Sequence, residues 1–330
     1  PKEIDKLFEG IVKEFKNFNT SQATRKSSEA VLHFINNKMP LFGGSADLTG
    51  SNNTKGKQMD ILNHKNYKGQ YIHYGVREHG MASIMNGIAA TRLYKTYSGT
   101  FLSFADYMKP SLRLAALMKI DPIQVFTHDS IGLGEDGPTH QPIEQINMLR
   151  LIPNSYVFRP CDMMETIACW KLALKISNAP SFICLSRQNL PQISNKKVSL
   201  NNFKGAYVIL QSSKINHITI IASGSEVSLA IETANLLKEQ KIETKVVSMP
   251  SSSLFDEQQV SFKKKLLQSK LEQVFVIESG SSMYLNKYTQ SENIFGIAEL
   301  GDSAPAKDVL NKFGLTPKNI SSKIMKRIKK

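Results

Sequence analysis

Cysteine is scarce in this chain of 330 residues: there are three, Cys161, Cys169 and Cys184, all in apolar or helical surroundings. An odd number without a C-x-x-C pair argues against a disulfide framework and fits reduced, buried thiols in a cytoplasmic protein. No run of about twenty apolar residues occurs, so no helical membrane span is expected. The opening P-K-E-I-D-K-L-F-E-G lacks the apolar core of a signal peptide. It also lacks an initiating Met, which points to a processed or excised segment. Acids are in deficit: Lys and Arg number 42 against 28 Asp and Glu, a formal charge of +14. The lysines are nevertheless scattered, with clusters only at 263–265 and in the tail. No zinc finger, RNA-binding aromatic motif or long basic arm accompanies them, so nucleic acid is not the expected partner. Such a surface suits anionic metabolites or a more acidic partner chain. Repeats and low-complexity tracts are absent.

What is present is an alternation of helices and strands. Short apolar runs at 41–42, 71–74, 122–126, 156–158 and 182–185 read as buried strands. Helices are predicted over 21–37 and 78–91, the second from Met81, Ile84, Met85 and Ile88 at i, i+3, i+4, i+7 spacing. That order predicts an α/β fold with a mainly parallel sheet covered on both faces. Residues 188–204 lose the pattern and read as a linker. A second α/β unit follows: strands at 217–222, 243–248 and 274–277, and helices at 225–238 and near 256–270. Ser223-Gly224-Ser225 is a strand-to-helix turn. It reads as a glycine turn with Ser225 as N-cap, or as a phosphate cradle at a helix start.

The densest stretch is T-H-D-S-I-G-L-G-E-D-G-P-T-H-Q-P, residues 127–142, directly after a strand-like run. Loops at the carboxyl ends of parallel strands are where open α/β sheets bind ligands. Its glycines permit sharp turns and close backbone approach. His128 and His140 can titrate near neutrality or hydrogen-bond hydroxyls and phosphates. A polar surface turn is the plain alternative. A metal site is not expected, because no Cys pair, H-E-x-x-H or regular ligand spacing occurs. Glu78, in V-R-E-H-G at a helix start, reads either as a charge complementing the helix dipole or as an acid–base group. Phe101, Phe104 and Tyr107 recur every third residue, as core or as a ring pocket.

R-E-H, G-T-F-L-S-F-A-D-Y, the 127–145 stretch, R-P-C-D and S-R-Q-N-L-P occur in order, with A-T-R-K-S-S-E-A-V-L and G-G-S-A-D-L-T-G-S-N upstream. In that combination they resemble transketolase, over essentially the whole chain. I-A-S-G-S-E-V, L-F-D-E-Q and S-A-P-A-K extend the resemblance to the C-terminal unit. It implies the end of an interdomain connection at 1–20, a pyrimidine-binding domain at 21–190, a linker at 191–204 and a C-terminal domain at 205–330. It implies thiamine diphosphate with Mg2+ or Ca2+, ketose and aldose phosphates as substrates, and a homodimer. By the resemblance Glu78 binds the cofactor's aminopyrimidine and is catalytic. Phe101, Phe104 and Tyr107 surround that ring, with Asp47 close to the cofactor at the subunit contact. Arg25, Ser51, His128 and Arg187 hold the substrate phosphate. Asp136 reads a substrate hydroxyl, and His140 lies near the carbonyl.

The chain departs from the family in one large respect. The G-D-G…N motif that holds the diphosphate and its cation is absent. The expectation is therefore a half enzyme, inactive without an N-terminal half on the same polypeptide or a separate chain. Ser98, Cys161, Ser252 and Asp302 are smaller departures. Other readings are half of a related thiamine enzyme, of the 2-oxo-acid dehydrogenase beta or deoxyxylulose-phosphate synthase type, or a non-catalytic module.

Overall fold

The computed structural model describes residues 2–36, 38–194, 198–213, 217–267 and 270–328. The first unit runs α1 (Lys2–Phe15), α2 (Thr24–Ile35), β1 (Leu41–Ser45), α3 (Thr49–Asn52), β2 (Tyr71–His73), α4 (Glu78–Thr91), β3 (Lys95–Phe101), α5 (Ala105–Met118), β4 (Ile123–Thr127), α6 (Gln145–Arg150), β5 (Tyr156–Phe158), α7 (Met163–Lys175) and β6 (Ser181–Leu185). The strands form one sheet in the order β2-β1-β3-β4-β6-β5, every neighbouring pair parallel. Parallel strands are covered on both faces, and β1, β4 and β6 are buried along their whole length. One face carries α1, α2 and α7 around Phe8, Ile11, Leu32 and Trp170. The other carries α4, α5 and α6 around Met81, Met85, Leu112 and Leu149.

The chain steps from β1 to β2 in one direction and places β3 on the opposite side of β1. Ligand crevices open at such switch points, outside the carboxyl ends of the strands. Of residues 1–20, expected as the end of a connection, Lys2–Phe15 form α1, whose Phe8 and Ile11 are fully buried against the first core. Lys95–Phe101 is not an apolar run, yet all but its first residue are buried. Polar partners make that burial tolerable: Tyr97 Oη donates to the Thr54 carbonyl (2.6 Å) and Ser98 bonds Gln124.

The second unit comprises β7 (Tyr207–Leu210), β8 (Ile218–Ala222), α8 (Glu226–Glu239), β9 (Thr244–Ser248), α9 (Ser252–Asp256), α10 (Val260–Leu267), β10 (Val274–Ile277), β11 (Ile294–Phe295), α11 (Ala306–Lys312) and α12 (Pro317–Ile328). Its sheet has the order β11-β10-β8-β9-β7, with only β7 antiparallel to its neighbour. Together the two sheets bear out the expected two-domain α/β class. Three local expectations are corrected. The helix near 256–270 is two helices, α9 and α10; residues 268–269 lie outside the described residues. On α4 the buried face toward β3 and α5 is Met81, Ala82, Met85 and Ala89, while Ile84 is 48% exposed, because the two alanines rather than the isoleucines share the buried face with the methionines. Ser225 does not cap α8 with its side chain. Its hydroxyl instead donates to Glu226 Oε1 (2.6 Å) and accepts from Arg159 (3.3 Å), which lies over the turn. No helix of the described residues is long and apolar enough to cross a membrane.

Candidate active site

Strand register assembles the site. Phe101 ends β3 directly beside Thr127, the last residue of β4, and Thr127 in turn faces Leu185 at the end of β6. The residues just beyond these strand ends therefore meet. His128 leaves β4 with φ 59°, a left-handed conformation that side-chain-bearing residues rarely hold. Its ring is 3% exposed and lies 3.7 Å, centroid to centroid, from Phe101. The Thr127 hydroxyl donates to Asn52 Oδ1 (2.7 Å), so its contact with His128 Nδ1 (2.9 Å) is one in which the ring donates. Nε2 then faces Asp136 at 3.9 Å. Burial first, then Arg25, Arg187 and His140, lower the His128 pKa to about 3, so the ring is neutral near pH 7.

Arg25 reaches the same place because the start of α2 is stitched to the end of β6. Thr24 N donates to Ser186 Oγ (3.0 Å), Ser186 N to Thr24 Oγ1 (2.7 Å), and Arg25 N to the Ser186 carbonyl (3.4 Å). Arg187 is the next residue. The two guanidinium groups repel, and burial followed by Arg187 lowers the pKa of Arg25. Two cations and a neutral histidine held together in one crevice leave an anion-shaped demand. Arg25 Nη1 donates to the Ser51 main-chain carbonyl (2.6 Å), so Ser51 meets the site through its backbone. Asp136 sits on a turn whose Gly134 and Gly137 both have positive φ, 99° and 94°. Gln141 Nε2 bonds the Gly134 carbonyl (3.1 Å), and Ser303 of the second unit bonds the Glu135 carbonyl (3.0 Å).

The aromatic residues form a wall beside the histidines. Phe101 and Phe104 stack with centroids 5.9 Å apart and planes 13° from parallel. His140 stands edge-on to both, at 6.0 and 5.4 Å. Tyr107 continues the row 6.2 Å from Phe104 but is 64% exposed. Glu78 lies at the same edge of the sheet, in the first turn of α4 after β2, and is 8% exposed. Its carboxylate makes no hydrogen bond or ion pair among the described residues. Asp47 follows β1 with φ 60° and is exposed. The structure joins His128, Asp136, Arg25, Arg187, His140 and the aromatic pair. It sets Glu78 and Asp47 at the neighbouring strand ends without direct contact.

Sequence reading missed the buried polar groups behind this loop. Arg159, fully buried, bonds Asp129 and Glu226. Glu165 accepts from Cys161 N, Tyr207 Oη and Ser248 Oγ. R-P-C-D places Arg159 directly after a strand, the one local sign of such a role. Among the described residues no three His, Cys, Asp or Glu side chains gather as metal ligands.

The fold and these groups define a two-domain α/β protein with an anion-accepting, aromatic-walled crevice at the carboxyl edge of a parallel sheet. Residues 20–192 match the family model "Transketolase, pyrimidine binding domain" and residues 205–316 match "Transketolase-like TK C-terminal domain". The chain is 43% identical over 323 residues to Transketolase 2 of Aliivibrio fischeri, covering 97% of this chain and 49% of that protein. It is 43% identical over 315 residues to the transketolase of Sinorhizobium medicae, covering 94% and 45%. Among solved structures, the Pichia stipitis transketolase complex with sedoheptulose 7-phosphate superposes with a TM-score of 0.90 at 42% identity, covering 94% of this chain and 46% of that one. A split-gene transketolase described as an inactive beta4 tetramer shares the fold, with a TM-score of 0.73 at 23% identity, covering 94% of this chain and 99% of that one. The chain spans about half the length of the curated relatives it matches. This chain belongs to the transketolase family.

Proposed function

We propose that this chain is the part of a transketolase that holds the aminopyrimidine of thiamine diphosphate and most contacts to the sugar phosphates. The reaction is reversible transfer of a two-carbon ketol unit from a ketose phosphate of the xylulose 5-phosphate type to an aldose phosphate of the ribose 5-phosphate type. The observation that carries this reading is the convergence of Arg25, Arg187, His128 and Asp136 beside the Phe101–Phe104 wall.

The residues fit the cofactor. Flat parallel rings suit stacking against a heteroaromatic ring and keep water away. The buried carboxylate of Glu78, without a partner among the described residues, is suited to bond a ring nitrogen and exchange a proton with it. Asp47 sits at the adjacent strand end. When bound, thiamine diphosphate supplies an acidic thiazolium carbon that serves as nucleophile and electron sink. Arg25 and Arg187 give the distal phosphate planar, charge-assisted donors, with Ser51 beside them. His128, once protonated by the approach of the anion, adds a third donor. Asp136 accepts from a substrate hydroxyl, and His140, edge-on to the wall, can bond the carbonyl end or carry its proton. Nothing in this chain matches a diphosphate or Mg2+ cradle, so that part falls to an N-terminal half, in the same polypeptide or as a separate chain. The exposed apolar side chains of Ile84, Leu114, Leu117 and Met118 on α4 and α5 support a homodimer.

The test is transketolase assay with xylulose 5-phosphate, ribose 5-phosphate, thiamine diphosphate and Mg2+. The chain is assayed alone and mixed with a diphosphate-binding half, with Glu78→Ala as control. Activity only in the mixture, lost with Glu78→Ala, is expected. No activity from a folded, associated mixture refutes the reading.

A further inference from the structure

We propose that Arg159 is a positioning residue for His128, and that the C-terminal unit governs the substrate site through it by way of Glu226 and Ser223. The inference rests on the reading of His128 as part of the substrate-anion site.

His128 holds a left-handed backbone conformation, and Asp129 is the residue that follows it. Asp129 is 1% exposed. Its main-chain N–H donates to the Leu185 carbonyl (3.2 Å). Its Oδ2 accepts from Arg159 Nε (2.8 Å), while Oδ1 is buried without a partner. The Arg159 bond is thus the one side-chain anchor of Asp129 among the described residues.

The other end of the guanidinium belongs to the second unit. Nη1 bonds Glu226 Oε2 and the Ser223 carbonyl (3.1 Å), and Nη2 reaches Glu226 Oε1 and Ser225 Oγ, both at 3.3 Å. Ser223 and Ser225 lie in the strand-to-helix turn between β8 and α8, and Glu226 is the first residue of α8. Gly224, at φ 54°, makes the contact possible: a Cβ there would lie 2.9 Å from Arg159 Cγ and Nε. The turn that suggested a phosphate cradle in the sequence is therefore filled by a side chain of the other unit. Ser223 Oγ also bonds Glu278 (3.3 Å), which pairs bidentately with Arg150 at 2.6 and 2.7 Å. A planar fork that fixes a carboxylate on each side transmits position as well as charge. Movement of the β8–α8 turn moves Arg159, hence Asp129, hence the His128 ring over Phe101.

The inference is tested on the full chain with Glu226→Gln and Arg159→Lys. Lysine keeps the charge but cannot bond both carboxylates in one plane. The readouts are the His128 ring signals in 1H–13C NMR, assigned with His128→Gln, and ribose 5-phosphate affinity by 31P NMR titration. Thermal melts confirm that each variant is folded. Both variants are expected to shift the His128 signals and weaken ribose 5-phosphate binding about tenfold. Should Glu226→Gln fail to fold, Arg159→Lys carries the test. Unchanged His128 signals, or unchanged affinity, in a folded variant overturns the proposal. Arg25→Ala, measured alongside, separates the two readings. If it abolishes binding while Glu226→Gln leaves binding intact, the positioning role is refuted and the anion site stands. If it leaves binding intact, the anion site falls and this inference with it.

Discussion

Raising the pH from 5 to 8 is expected to strip about 3 kcal/mol from the stability of this chain through one carboxyl group, Glu165. The side chain is fully buried between the units. Cys161 N (2.7 Å), Tyr207 Oη (2.7 Å) and Ser248 Oγ (2.5 Å) bond it, the last two from the C-terminal unit. Those bonds favour the charged form, but burial outweighs them and, with the nearby Asp162 charge, lifts the pKa from 4.5 to about 7. The folded state therefore holds a proton that the unfolded chain has released. The stabilising contribution is complete below about pH 4.5 and disappears as pH rises through about 7. At about 1.4 kcal/mol per pH unit, that interval amounts to about 3 kcal/mol. Glu165→Gln removes the titration. Its amide can keep the oxygen on the Cys161 N–H only by giving the Tyr207 and Ser248 hydroxyls a donor in place of an acceptor, a cost of about 1–3 kcal/mol that does not depend on pH. Urea unfolding from pH 5 to 8, followed by Trp170 fluorescence and by circular dichroism, gives the comparison; Trp170 lies one turn further along α7. Coincident transitions license the two-state treatment. The wild type should lose its advantage over the variant as pH rises. A difference between the two that stays constant within about 1 kcal/mol over this range refutes the reasoning.

Other consequences concern side chains in and under the site. His128, whose pKa lies near 3, should show no protonation between pH 8 and 5 in a 13C-resolved NMR titration. Its folded pKa lies below the free value, so the stability it contributes is present above about 6.5 and lost as pH falls toward 3. Added phosphate should raise that pKa by compensating Arg25 and Arg187; a His128 that titrates near 6.5 without phosphate contradicts the geometry. The thiols should be inert in the native state. Cys161 and Cys169 are pushed well up by burial, and Cys184 up to about 12. Ellman's reagent should find no reactive thiol before unfolding and three after it, and rapid modification of the folded chain counts against this packing.

Legibility in the sequence followed the physics of each feature. β4 and β6 are buried on both faces, so they are apolar without interruption and show plainly. β3 is equally buried but spends two positions on Thr96 and Ser98 and one on Gly99, and no periodicity marks it. The helix α4 showed its length but not its orientation, because Ala82 and Ala89, rather than Ile84 and Ile88, complete the buried face with Met81 and Met85. The loop at 127–142 was legible as a candidate ligand site since chemistry concentrated in one loop needs no tertiary information. Assigning its histidines did need it. His128 is buried, neutral and tilted against Phe101, whereas His140 stands half-exposed and edge-on to the same wall.

The buried charges were the least legible, and they show how the two units are joined. Arg150, Arg159 and Glu165 come from the first unit; Glu226, Glu278, Tyr207 and Ser248 come from the second. Partners separated by 42 to 128 residues leave no local spacing to read. Removing either member of the Arg150–Glu278 or Arg159–Glu226 pair leaves an uncompensated buried charge, at about 3–5 kcal/mol. An apolar interface of the same size would join two units as firmly but would tolerate sliding. Directional bonds at Glu165, Glu226 and Glu278 do not, since each fixes an angle as well as a distance. The crevice needs that fixity, because Arg25 and Arg187 project from one side of it while the loop bearing His128 and Asp136 leans on the C-terminal unit through Ser303 and Arg159. In the proposed reading the C-terminal unit, which supplies none of the proposed site residues, keeps the loop at the spacing a sugar phosphate demands.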